Sequence, residues 1–277
     1  MAPPPAAHLP LSERLKALAQ TLQFAWFVGH VVLLLSVFRY SLSYMFFNYY
    51  SRPAMIAYRL GFLMAAFTYG IVVHRQHFVY GKLSGTPLQI VAKLLSDENV
   101  RYLALALVWL YSRQVSMALF PFGVYSVFHV ATYTRTTLLP TLQPGDPSRS
   151  GRQSPLADKL GRFVREYYDY GMELVGSLEL AILVRLVLSA LTFSRGSWIL
   201  LSIYSLFFRS RYATSPFVRK AVAHATARID TVISHQSTPP QLRQAWEGFK
   251  GLVRQAYDST DARRYMPAAA SPGKKPQ

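Results

Sequence analysis

The residues with reactive or ionisable side chains in unusual places are few. His30, Arg113, His129, Glu179 and Arg185 all stand within or between long apolar runs. An ionisable group there marks either a function or a buried partner. His30 and His129 read as neutral, hydrogen-bonded rings. Glu179 and Arg185 are six residues apart, so they face different sides of one helix and cannot pair locally. Each therefore needs a partner on another helix, and Arg113 is one candidate mate for Glu179. No H-E-x-x-H, G-x-S-x-G, phosphate-binding loop or aspartate cluster occurs, and Gly81-Lys82-Leu83-Ser84 lacks the upstream glycine of a phosphate loop. With no cysteine, disulfides, Cys-ligated zinc, iron–sulfur clusters and thiol catalysis are excluded. No catalytic, cofactor-binding or metal-binding residue is assigned, and no enzyme is expected.

The chemistry that remains is interfacial. From Arg209 onward, twelve Lys and Arg face four Asp and Glu. Ser215-Pro216 and Thr238-Pro239 are helix-start signals. The first helix carries Val218, Val222, Ala225, Ile229 and Val232 on one face. In the second, Leu242, Trp246, Phe249, Val253 and Tyr257 fall within an arc of about 80°, with Arg243, Lys250 and Arg254 along one edge. Gln244, Gly248 and Gln255 lie opposite. An aromatic-aliphatic face rimmed by cations suits an anionic bilayer surface. The same pattern also fits a hairpin packed on itself or on a partner protein.

The elements that must carry these groups are membrane helices. Of 277 residues 51% are hydrophobic and 16% charged, below the roughly 25% usual in soluble domains. The net charge of +17 fits either basic membrane-flanking segments or a nucleic-acid binder, and no nucleic-acid motif accompanies it. Residues 1–20 read as a disordered lead followed by an amphipathic helix with Leu11, Leu15, Leu18 and Leu22 on one stripe, running directly into the first span. Residues 21–139 hold four apolar segments. Thr21 to Phe38 is about 27 Å long as a helix. An aromatic and arginine-rich stretch suited to headgroups follows, then Ala54 to Val73, with Arg59 able to snorkel. After a short Thr86-Pro87 helix, Val100 to Tyr111 is too short to span, at about 18 Å. Val115 to Tyr133 is expected to kink at Pro121 and Gly123. Residues 140–157 read as a flexible linker, and 158–208 as an approach helix and a hairpin broken at Ser194-Arg195-Gly196. Residues 209–260 form the basic amphipathic helices and 261–277 a disordered tail. The fold class is an all-α integral membrane protein with helical hairpins in the bilayer and amphipathic interfacial helices at both ends.

Almost every junction is basic, which fits paired helices that enter and leave on one side, an even number of crossings and both termini cytosolic. Each tip holds an arginine, so the tips reach the far headgroups or are buried in protein.

Phe120-Pro121 followed by Ser126, His129, Ala131, Thr132, Tyr133 and Thr134, together with Arg211-Tyr212, resembles the transmembrane protein 33 family. That family includes yeast pore membrane proteins and a fission-yeast tetra-spanning protein. The resemblance implies a non-enzymatic protein of the endoplasmic reticulum membrane and nuclear envelope. It further implies roles in tubule organisation and in nuclear pore distribution or assembly. The implied partners are the lipid bilayer, reticulon-type shaping proteins, nucleoporins and an importin. The lead expectation is a membrane-shaping or scaffold protein that favours curved, anionic bilayer. A transporter or channel subunit and a membrane-anchored adaptor are the alternatives.

Overall fold

A computed structural model of the protein describes residues 9–81, 85–143 and 154–259. The lead at 1–8, Lys82 to Ser84, most of the linker and the end beyond Ser259 lie outside the described residues. Helices are the only regular elements among those described, and the chain is an all-α integral membrane protein. It divides into two compact units, Met1–Ala221 and Val222–Gln277.

The first unit opens with α1 (Leu11–Ala19), which stops at Gln20. Thr21 then caps α2 (Leu22–Met45) by accepting from the Phe24 N–H at 3.1 Å. This break replaces the direct run into the first span. The buried edge of α1 is Arg14 and Leu18. Arg14, placed off the leucine stripe by its spacing, donates to the carbonyls of Leu9 and Thr141 at 3.0 and 2.5 Å. After α2 come α3 (Arg52–Val73) and a π-helical turn, His74–Val79. Gly29 of α2 faces the Thr68 side chain of α3 so closely that a Cβ would lie 2.6 Å from it. Small residues at such crossings let membrane helices gain packing contacts.

A capping box between Thr86 and Gln89 starts α4 (Pro87–Ser96). Asp97 caps α5 (Glu98–Tyr111) by accepting from the Asn99 and Val100 N–H groups. The fourth apolar segment becomes helical only at α6 (Phe120–Tyr133), continued by a π turn, Thr134–Leu138, and α7 (Leu139–Leu142). Pro121 stands in the first turn of α6. A missing N–H costs nothing there, so proline starts this helix and does not kink it. Approach helix and first hairpin arm are one 37-residue helix, α8 (Pro155–Leu191), and α9 (Ser197–Thr214) follows. Among the described residues, three helices are long and apolar enough to cross a membrane: α2, Arg52–Val79 and α8.

Side-chain bonds sort the helix ends of this unit into two groups. At one end Arg59 donates to the carbonyls of Trp109, Leu110 and Ser112. It thereby satisfies the orphan carbonyls that close α5, and does not snorkel. Gln114 donates to the Tyr40 hydroxyl and the Tyr49 carbonyl at 2.7 and 2.8 Å. The Tyr58 hydroxyl accepts from the Val115 N–H at 3.1 Å, and Arg113 donates to the Ser189 hydroxyl. This turn end thus joins the loops after α2, α5 and α8. At the other end His77 meets Asp97 at 3.1 Å, Tyr133 stacks on Phe27 at 4.6 Å, and Arg14 binds Thr141. The helices α2, α3, α5, α6, α8 and α9 therefore run alternately up and down, and the unit begins and ends at the same end.

Both α2 and α8 terminate in the same way. The Asn48 N–H donates to the Ser43 carbonyl and the Phe47 N–H to Tyr44; Ser194 and Phe193 repeat this with Ser189 and Ala190. This is the Schellman closure, whose left-handed residue is usually glycine. Here it is Phe47, with φ 53°, and Phe193, with φ 50°. Holding an L residue there costs about 1–2 kcal/mol.

In the second unit, helix α10 (Pro216–Ile233) extends past its boundary at Ala221 and is followed by α11 (Pro240–Ser259).

Candidate functional site

In the second unit α10 and α11 are joined by a clasp on one carboxylate. Asp230 Oδ1 accepts from Trp246 Nε1 at 2.6 Å and from Lys250 Nζ at 3.0 Å. The Trp246 and Lys250 donors hold the Asp230 carboxyl below its usual range. Lys250 is raised, first by Glu247 at 2.8 Å and then by Asp230. Arg243 donates to the His235 carbonyl at 2.9 Å, tying the start of α11 to the end of α10. Trp246 stacks on Phe249 with centroids 5.6 Å apart.

Beyond the clasp and the Arg243 tie, much of the apolar face of α11 stays uncovered. Leu242, Phe249, Leu252 and Val253 are all more than half exposed. Among the interface residues expected from sequence, the structure brings Trp246 and Lys250 together on Asp230. It leaves Leu242, Phe249 and Val253 on the open face, and Arg254 is exposed. Tyr257 lies at the distal end of α11. Two participants were missed. Asp230 counted only as a charge, though it sits one residue after Ile229 of the apolar face. Leu252 falls beside the arc on the side away from the cations, and it widens that face.

Within the first unit, Pro121, Ser126, Ala131, Tyr133 and Arg211 of the family-like residues are buried. Glu179 is 1% exposed and accepts from the Tyr102 hydroxyl at 2.5 Å and from Arg211 Nε at 3.2 Å. Arg211 also bonds Glu98 and donates to the Tyr125 hydroxyl at 3.1 Å, and its guanidinium lies 5.4 Å from the Tyr102 ring centre. The Tyr204 hydroxyl binds the Glu179 main-chain carbonyl at 2.9 Å. One ion cluster thus ties α5, α6, α8 and α9. It corrects the expected pairing of Glu179 with Arg113, which goes to Ser189 at the turn end. Sequence spacing gave no distance between positions 179 and 211, so the true mate was not legible. Arg185 is exposed on α8.

Along α6, Phe120-Pro121 forms the first turn and Ser126 accepts or donates to His30 Nδ1 at 2.8 Å. His129 packs against Trp26 and His30 at 5.0 and 4.8 Å. Thr132 supplies the carbonyl that takes the Thr136 hydroxyl, and Tyr212 supplies the one that takes Arg219. No group of His, Asp or Glu among the described residues could hold a metal ion.

The sequence matches the Transmembrane protein 33/Nucleoporin POM33 family over residues 9–258. It is 47% identical to a protein named Nucleoporin POM33 from Chaetomium thermophilum, covering 98% of each chain. It is 35% identical to Pore membrane protein of 33 kDa from Saccharomyces cerevisiae, over 90% of this chain and 89% of the relative. Identity to Tetra-spanning protein 1 of Schizosaccharomyces pombe is 31%, over 88% and 87%. No solved structure matches. With a membrane bundle tied together by the Arg211 cluster and a family match over nearly its whole length, this chain belongs to the transmembrane protein 33/POM33 family of pore membrane proteins, which are not enzymes.

Proposed function

We propose that this chain is a membrane protein of the nuclear pore and endoplasmic reticulum that favours curved bilayer, with the first unit as anchor and α11 as a wedge. The names of the relatives support the location: one is a nucleoporin, one a pore membrane protein, and one a pore and endoplasmic reticulum protein. The observation that carries the mechanism is the open face of α11, where Leu242, Phe249, Leu252 and Val253 stay exposed beside Arg243, Lys250 and Arg254. Apolar side chains inserted at the headgroup boundary expand one leaflet and so favour curvature. Helix α4 adds Leu88, Val91 and Leu95, all exposed on one face. The up-and-down order of the bundle favours an even number of crossings, with its two ends, read as cytosolic, on one side.

A segment of residues 212–257 is expected to bind small anionic vesicles more tightly than large neutral ones. Equal binding to both would sink the curvature reading. Binding to an importin or nucleoporin without binding to vesicles would make the tail an adaptor. A tagged full chain should mark the nuclear rim and tubules, and a plasma-membrane pattern would reject the proposed location.

A further inference from the structure

The turn end of the first unit combines three properties. First, it carries no acid: no Asp or Glu occurs from residue 14 to 96, from 99 to 145, or from 180 to 229. Its cations are arginines, among them Arg52, Arg113 and Arg195, all exposed. None of these three makes an ion pair among the described residues. Second, both outer tips place phenylalanine at the left-handed position of a Schellman closure, where glycine would remove the strain. Third, the fold leaves both of those rings almost uncovered, Phe47 at 89% and Phe193 at 81% exposed. Backbone strain persists where a side chain is required for a task. Here the same departure appears at two unrelated turns. The two tips also sit together, because Gln114 binds Tyr49 just after Phe47 and Arg113 binds Ser189 just before Phe193.

We propose that these paired tips are a lipid-binding surface for the leaflet at the turn end. Phe47 and Phe193 lie in the acyl boundary, and Arg52, Arg113 and Arg195 hold anionic phospholipid headgroups. The charge argument commits to phosphate: an acid-free arginine surface has no counter-ion of its own, and lipid phosphate is the anion present at that depth. Aromatic rings and cations suit a headgroup layer, which would cover the two phenylalanines that the fold leaves exposed. This reading is independent of the tail, which occupies a different part of the chain.

The full chain, reconstituted in phosphatidylcholine nanodiscs doped with a photoactivatable phosphatidic acid, tests it by mapping the cross-linked peptides. Adducts are expected on residues 44–59 and 190–199, well above those of a photoactivatable phosphatidylcholine. In Arg52→Gln/Arg113→Gln/Arg195→Gln they should fall by about fivefold for each arginine removed, with adducts on residues 209–259 unchanged. Phe47→Gly/Phe193→Gly gives a second reading that does not depend on that variant folding. Glycine relieves both backbones, so the melting temperature should hold or rise while tip adducts are lost. Equal labelling by both lipids, adducts confined to the tail, or a glycine pair that melts lower and labels as before would each overturn the proposal.

Discussion

Arg211 and Glu179 show how much one buried pair decides. Removing one member of such a pair leaves the other charged and unpartnered, at a cost of about 3–5 kcal/mol. Arg211→Leu should destabilise the first unit by that amount in detergent unfolding. Glu179→Gln should cost less, because Glu98 still faces the guanidinium. Asp230 is the corresponding residue in the second unit. Its carboxyl is depressed, so its contribution is complete above the ordinary carboxylate pKa and disappears as the pH falls through the lowered value. The clasp on Trp246 should therefore hold at neutral pH and open only in acid, below the ordinary carboxylate range. Trp246 is the one tryptophan in residues 212–257, so its fluorescence in that segment reads the opening. Asp230→Asn should leave the signal flat across the same range.

At the scale of elements, α11 was legible because an interfacial helix must keep its apolar residues on one side, which the 100° step per residue exposes directly. Its clasp was not legible, since it depends on where α10 returns. Leu252→Glu or Phe249→Glu should weaken vesicle binding of the tail segment by about tenfold or more, from the loss of about 1.5–3 kcal/mol of burial. Gln244→Glu, on the opposite face, should change it little. Co-sedimentation with anionic vesicles compares the three. The start of α6 was misread for a local reason. Pro121 kinks a helix already under way but begins one when it stands in the first turn. Which case applies depends on the residues just before it: Tyr40, Tyr49 and Tyr58 hold Gln114 and Val115 outside any helix, and a turn at 116–119 follows.

For the whole molecule, the alternation of six packed helices predicts that all three hairpin turns lie on one side. Glycosylation acceptors placed on spacers at residues 113 and 195 should behave alike: both modified if the bundle spans, neither if the tips stop short. Modification of one alone would break the antiparallel order.

The sequence by itself determined the membrane class, the apolar segments, the basic tail and the lack of catalytic apparatus. These follow from composition and from periodicities that repeat within one helix. It also showed Phe120-Pro121 and Arg211-Tyr212 as family-like before any distance was known. Only the tertiary structure decided that Arg211 meets Glu179, that Arg59 closes α5, and that Phe47 and Phe193 turn at the same end. Each of these joins positions that are distant in sequence or depends on a backbone angle. Helical spacing carries no information about which face meets which, so the fold had to supply it.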